Sequence, residues 1–257
     1  RCEEKSSDSM NEILPIIINR HTDNDVVDEE QLQAIFSLEN FLVVEAPAGY
    51  GKTKTMVSKI AYALATAQVP YPKKILALTF SINAAFKIRN DLNQQLPQIF
   101  SPSSKFLRES LKLVYATNYH GLCRRILKNY GFLISDHLSK VDSLRGVGIS
   151  LYDNSSYTYK RLFENTQEWG VDLSNTEINL LITFTQSVKD AGNEDIRDEA
   201  IKIIKGNFST YLQIVKEKFL PKSFILFDSI LLFTRQLFKE QPLIRNFYRR
   251  LFPIVLV

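Results

Sequence analysis

Ala46-Pro47-Ala48-Gly49-Tyr50-Gly51-Lys52-Thr53 stands between an apolar run, Phe41-Leu42-Val43-Val44-Glu45, and a segment with helical periodicity from about Lys52 to Thr66. A buried strand that turns through glycines straight into a helix is the signature of an α/β fold built on parallel strands. Glycines at 49 and 51 let the backbone curl so that successive N–H groups face inward, and the helix start adds roughly half a positive charge. The result is an anion cradle, in which Lys52 can reach the β- and γ-phosphates of a nucleotide and the Thr53 hydroxyl can ligate a magnesium ion between them. Ala46 takes the place of the first glycine of the strict pattern, and a residue that small still leaves room for the turn.

The periodicities on either side support the same class. Asp28 can cap a short helix that carries Leu32, Ile35 and Phe36 on one face, and the apolar run over 41–45 reads as a buried strand. After Pro70-Tyr71-Pro72, a strand over Lys74 to Thr79 leads into a helix from about Asn83 to Leu96, with Ser81 near its cap. Pro97 to Lys105 reads as a loop, Leu111 to Thr117 as a third strand, and Tyr119 to Tyr130 as a helix with Leu122, Ile126 and Leu127 inward. From Gly131 to Pro221 strand signals fade and helical spacing takes over, as in Leu180, Leu181, Phe184 and Val188. Helices over 224–239 and 242–251 and an apolar strand over 254–257 complete the reading. The expected organisation is a polar tail or partial element over 1–25, an α/β part over 26–130, a helical insertion over 131–221, and a return to the α/β part over 222–257.

Composition narrows the setting more than the chemistry. With 257 residues, 45% hydrophobic and 23% charged, the chain has material for a sizeable core. Cys2 and Cys123 lie far apart, outside any metal-ligand spacing, so a reducing, cytoplasmic environment is expected. The apolar runs fall well short of the roughly 20 residues of a spanning helix, and no membrane partner is expected. A net charge of +4 permits nucleic-acid binding without arguing for it.

Four further segments, in order, resemble the UvrD/Rep-type helicases of superfamily 1. Asp28-Glu29-Glu30-Gln31-Leu32-Gln33-Ala34-Ile35 is similar to that family's adenine-reading Q motif, which puts Gln31 where an amide can both donate to and accept from adenine. The same glutamine could instead close a capping box with Asp28. Ile75-Leu76-Ala77-Leu78-Thr79-Phe80-Ser81, with Ala84-Ala85 and Arg89, resembles motif Ia, where Thr79 and Phe80 would meet single-stranded DNA. Ile82-Asn83 replaces the frequent Asn-Lys there, and Phe80 could also be a core residue. Ala116-Thr117-Asn118-Tyr119-His120-Gly121-Leu122 resembles motif Ib, which implies backbone contacts to DNA from Asn118, Tyr119 and His120. Phe224 to Leu232, with Phe227-Asp228, resembles the return to the motor core, and Arg249 to Val257 the strand that leads into the Asp-Glu pair of motif II.

The resemblance implies a RecA-like P-loop motor domain with a parallel sheet and an inserted helical subdomain. It further implies ATP and magnesium as ligands and 3′ to 5′ movement on single-stranded DNA. On this reading the 257 residues end before the carboxylates that hydrolysis uses, and by themselves should bind nucleotide without turning it over. Two rivals share the loop. One is a signalling P-loop ATPase that switches a transcription regulator, which has no reason to carry the Thr79-Phe80 and Tyr119-His120-Gly121 segments. The other is a P-loop kinase or transferase, for which no acceptor site is recognisable.

Overall fold

In a computed structural model of the chain, the described residues are 13–23, 26–39, 41–47, 49–100, 105–152 and 154–257. They fall into two compact units, one of residues 1–119 and 243–257, the other of residues 120–242.

The first unit is built on a parallel sheet. β3 (Ile75–Thr79) lies between β4 (Val114–Asn118) and β7 (Ile254–Leu256), and both neighbours run parallel to it. Ile75 to Leu78 are all buried, as a run covered on both faces must be. The helices against this core are α1 (helical over 13–20), α2 (Glu29–Phe36), α3 (Lys52–Ala65) and α4 (Ile82–Ile99). Ile17, Ile35, Val57, Ile60 and Leu96 are fully or almost fully buried in one cluster with Ile75. Thr22–Asp23 (β1) and Val26–Val27 (β2) pair antiparallel between α1 and α2.

Local chemistry places several of these boundaries. Asp28 caps α2 by accepting from the Gln31 N–H at 3.0 Å, and Ser81 caps α4 by accepting from the Ala84 N–H at 3.0 Å. Three expectations fail. The run over 41–45 forms no strand among the described residues. It is extended coil with Phe41 85% exposed and Val43 64% exposed, and Leu42, Val43 and Val44 line a depression of about 370 Å³ facing α2. An apolar run reports a demand for burial but does not name the ladder that meets it. The helix expected to stop before Pro97 continues to Ile99, because a proline in the last turn forfeits one bond while Leu96 and Ile99 stay buried. Finally, Lys105–Lys112 is a helix (α5), so the third strand starts later than expected, at Val114.

The second unit is mostly helical. α6 (Tyr119–Tyr130) leads into it, followed by α7 (Ser155–Glu168), α8 (Asn175–Asp190), α9 (Arg197–Ile214) and α10 (Ser229–Glu240). Ser174 and Glu177 form a complete capping box on α8, and Phe184 stacks on Tyr211 with ring centroids 4.1 Å apart. A short parallel pair, β5 (Arg145–Val147) and β6 (Phe224–Leu226), was not expected, because three residues containing a glycine and an arginine carry no strand periodicity. The helix expected from Phe224 accordingly begins at Ser229. α11 (Pro242–Leu251) precedes β7. Among the described residues no helix is long and apolar enough to cross a membrane.

Candidate nucleotide-binding site

The glycines of the loop adopt the backbone their positions demand. Gly49 has φ +91° and Gly51 φ +75°, both in the region L side chains avoid, and Gly51 is the N-cap of α3. A Cβ on Gly51 would also stand 3.2 Å from Gln31 Nε2. Lys52 opens α3 and folds back over the loop, donating from Nζ to the Pro47 carbonyl at 2.9 Å and to the Ala46 carbonyl. Thr53 follows in the first turn, partly exposed. Tyr50 is 67% exposed at the crest, and its N–H is 3.5 Å from the Pro47 carbonyl. Ala48 lies outside the described residues. The lysine is thus held by two neutral carbonyl oxygens, weaker partners for an ammonium than phosphate oxygens.

Gln31 joins this loop. Its Nε2 donates to the Tyr50 carbonyl at 3.3 Å, and its Oε1 accepts from Thr55 Oγ1 at 3.2 Å and lies 2.6 Å from His21 Nδ1. The capping box with Asp28 is only half formed, since the Asp28 N–H donates to the His21 carbonyl at 2.8 Å and leaves the Gln31 side chain free for the loop. His21 Nε2 lies 2.9 Å from Ser58 Oγ, and both residues are buried. His21, Thr55 and Ser58 were not among the residues singled out from sequence. A signal did exist for two of them, because Thr55 and Ser58 are three apart and put hydroxyls on the otherwise apolar face of α3.

The ends of two strands carry the other candidates of the first unit. Thr79 and Asn118 are register partners at the carboxyl ends of β3 and β4, where ligands of open parallel sheets bind. The residues that follow them, Phe80 and Tyr119, bring their rings to 5.3 Å at 47°. Phe80 is 85% exposed and therefore not a core residue.

His120 belongs to the second unit. Its ring packs 4.1 Å from that of Phe227, and its Nε2 is buried without a hydrogen-bond partner. Burial lowers its pKa; Asp228 and a hydrogen bond to the Phe227 backbone oppose that, and Arg124 adds to it. Of the cations after it on α6, Arg124 donates to the Val141 carbonyl at 2.8 Å and Lys128 pairs with Asp142 at 2.7 Å, so both hold their own unit together.

Among the described residues no group of three or more histidine, cysteine, aspartate or glutamate side chains could hold a metal ion. Magnesium is a hard cation that keeps waters and phosphate oxygens as most of its ligands, so the single Thr53 hydroxyl beside the loop fits a metal delivered with the nucleotide.

Residues 27–257 match the family described as UvrD/REP helicase N-terminal domain. Among curated proteins, the chain is 24% identical to a probable DNA helicase II homolog of Mycoplasma capricolum, over 91% of this chain and 30% of that protein. It is 24% identical to the ATP-dependent DNA helicase PcrA of Bacillus subtilis, over 88% of this chain and 28% of that protein. It is 25% identical to the ATP-dependent DNA helicase UvrD1 of Mycobacterium tuberculosis, over 91% of this chain and 28% of that protein. The chain therefore spans less than a third of the length of these relatives.

Proposed function

Since the chain belongs to the UvrD/REP helicase N-terminal domain family, we propose that it is the ATP-binding part of an ATP-driven helicase or translocase acting on single-stranded DNA. The observation that carries this reading is the pairing of two features on one α/β unit. A glycine loop with Lys52 at the start of α3 supplies the phosphate site, and an exposed aromatic pair, Phe80 and Tyr119, stands at the carboxyl ends of adjacent parallel strands.

In this proposal the Lys52 ammonium leaves the carbonyls of Ala46 and Pro47 for the β- and γ-phosphate oxygens of ATP, exchanging neutral acceptors for charged ones. Backbone N–H groups of Gly49, Tyr50 and Gly51 surround the phosphates, and Gln31 meets the base. Thr53 contributes a hydroxyl to magnesium, which neutralises charge on the bridged phosphates when bound. Thr79, Phe80, Asn118 and Tyr119 face the DNA, Phe80 by stacking on a base and the others through the backbone. A DNA contact for His120, in the second unit, is taken from the family resemblance alone. Residues 131–221 are read as the inserted helical subdomain. The direction, 3′ to 5′, is taken from the family resemblance alone.

The test is ATP hydrolysis by the full-length protein with and without single-stranded DNA, with Lys52→Ala as the control for contaminating activity. Stimulation of many-fold that disappears in the variant is expected. Slow turnover indifferent to DNA would overturn the motor reading in favour of a nucleotide switch.

A further inference from the structure

Within the second unit, α9 and α10 flank a groove of about 630 Å³, and the reading above gives it no task. Its floor is apolar. Leu212 and Phe233 are 4% and 1% exposed there, and Ile204 and Phe208 are half-buried. Ile204, Phe208 and Leu212 recur every fourth residue, so one face of α9 is turned to the groove. Beyond Ile214 the helix widens, and the Leu220 N–H donates to the Val215 carbonyl five residues back. That turn keeps Val215 and Phe219 wholly buried while Lys216 and Glu217 line the groove. Single widened turns of this kind are frequent at functional sites.

The rim is cationic. Lys205, Lys216, Arg235 and Lys239 line it, against the two carboxylates Glu217 and Glu240. Each carboxylate is already addressed from four residues back, Glu217 by Gln213 Nε2 at 3.0 Å and Glu240 by Gln236 Nε2 at 2.8 Å. No carboxylate among the described residues forms an ion pair with any of the four cations. Arg235 lies over one face of the Phe208 ring, 5.2 Å from its centroid.

We propose that this groove is a docking site for an acidic segment of another protein, a stretch of aspartate and glutamate interrupted by one large apolar side chain. The apolar side chain enters the floor beside Phe208 and Leu212, and the flanking carboxylates pair with Lys205, Lys216 and Lys239. The charges are complementary, since four cations face two carboxylates that already have partners of their own. Ligand pockets run from about 300 to 1,000 Å³, so the groove holds a few side chains and not a folded domain. A nucleic-acid strand fits it less well. Arg235 already covers a face of the Phe208 ring on which a base could stack, and phosphates offer nothing to an apolar floor while meeting Glu217 and Glu240. No residue of the groove belongs to the nucleotide or DNA sites proposed above.

The experiment is fluorescence anisotropy on the full-length protein with a short labelled peptide, acidic throughout except for one central phenylalanine. Its competitors are the same peptide with serine for the phenylalanine, a peptide with lysine for every acid, and a single-stranded oligonucleotide. Saturable binding that weakens as salt rises is expected. The serine peptide should compete about tenfold less well or worse, because it gives up the burial of a phenylalanine side chain, and the lysine peptide should not compete. Lys205 and Lys239 are exposed, so the double variant Lys205→Glu/Lys239→Glu should melt like the wild type and hydrolyse ATP at the same rate. It should bind the peptide about tenfold more weakly or worse, and Lys205→Gln/Lys239→Gln, which removes charge without adding repulsion, should lose less. An absence of saturable binding, or a serine peptide that competes as well as the parent, would overturn the proposal. So would peptide affinity retained in the charge-reversed variant. An oligonucleotide that displaces the peptide and itself loses affinity in that variant would overturn it too, by making the groove a nucleic-acid site.

Discussion

The phosphate loop and the strand-end pair of the first unit reach their chemistry by opposite routes. At the loop, two glycines with positive φ, a helix start and a chain of hydrogen bonds, buried at its Ser58–His21 end and exposed where Gln31 meets Tyr50, hold the groups in place. At the strand ends, Phe80 is 85% exposed and is steadied by the Tyr119 ring, which the β3–β4 register delivers from 39 positions further along the chain. The first region is a tightly bonded turn, as the proposed phosphate ligand would require. The second is an open surface, as the proposed stacking of successive bases would require.

Substitutions can break this contrast. Lys52→Ala should have the largest effect, lowering DNA-stimulated ATP turnover by on the order of 10²–10³-fold, with DNA affinity measured without nucleotide nearly unchanged. A comparable loss of DNA binding would mean that the regions are not separable. Phe80→Ala should weaken single-stranded DNA by about 1–3 kcal/mol, read by fluorescence anisotropy, with nucleotide affinity and melting temperature unmoved. A fall in melting temperature would place Phe80 in the core after all. Gly51→Ala should cost about 1–2 kcal/mol in urea unfolding, because the backbone there is left-handed and the new Cβ presses on the Gln31 amide.

The smallest expected effect is the acid sensitivity of the buried network. His21 has a folded pKa below its unfolded value of about 6.5 because it is buried, so the unfolded chain binds the proton more readily. The stability it contributes is present above about pH 6.5 and is lost as the pH falls through that value towards the folded pKa. Urea midpoints at pH 7.5 and 5.5 should therefore differ more for the wild type than for His21→Asn. An equal difference in the two proteins would show that His21 is not the group titrating.

Much of this contrast could be anticipated from sequence, and the failures share a cause. The loop, the caps at Asp28 and Ser81, and the helices over 52–65 and 119–130 depend on residues within a few positions of one another. The run over 41–45 was expected in the sheet and lies outside it, because apolarity states a need that several neighbours could meet. β5 and β6 escaped notice because each gains its strand character from a partner roughly 80 positions away.

The residues themselves determined the cradle. Glycine at 49 and 51 is the residue type that enters left-handed backbone without penalty, and Lys52 and Thr53 must then follow at the helix start. Only the tertiary structure decided what Gln31 does. Three positions after Asp28 it could as well have closed a capping box, and the local sequence allows both. The choice fell to packing, because the turn after α1 brings the His21 carbonyl to the Asp28 N–H and the His21 ring to the Gln31 amide. With the Asp28 N–H already satisfied, the glutamine side chain pairs with the loop.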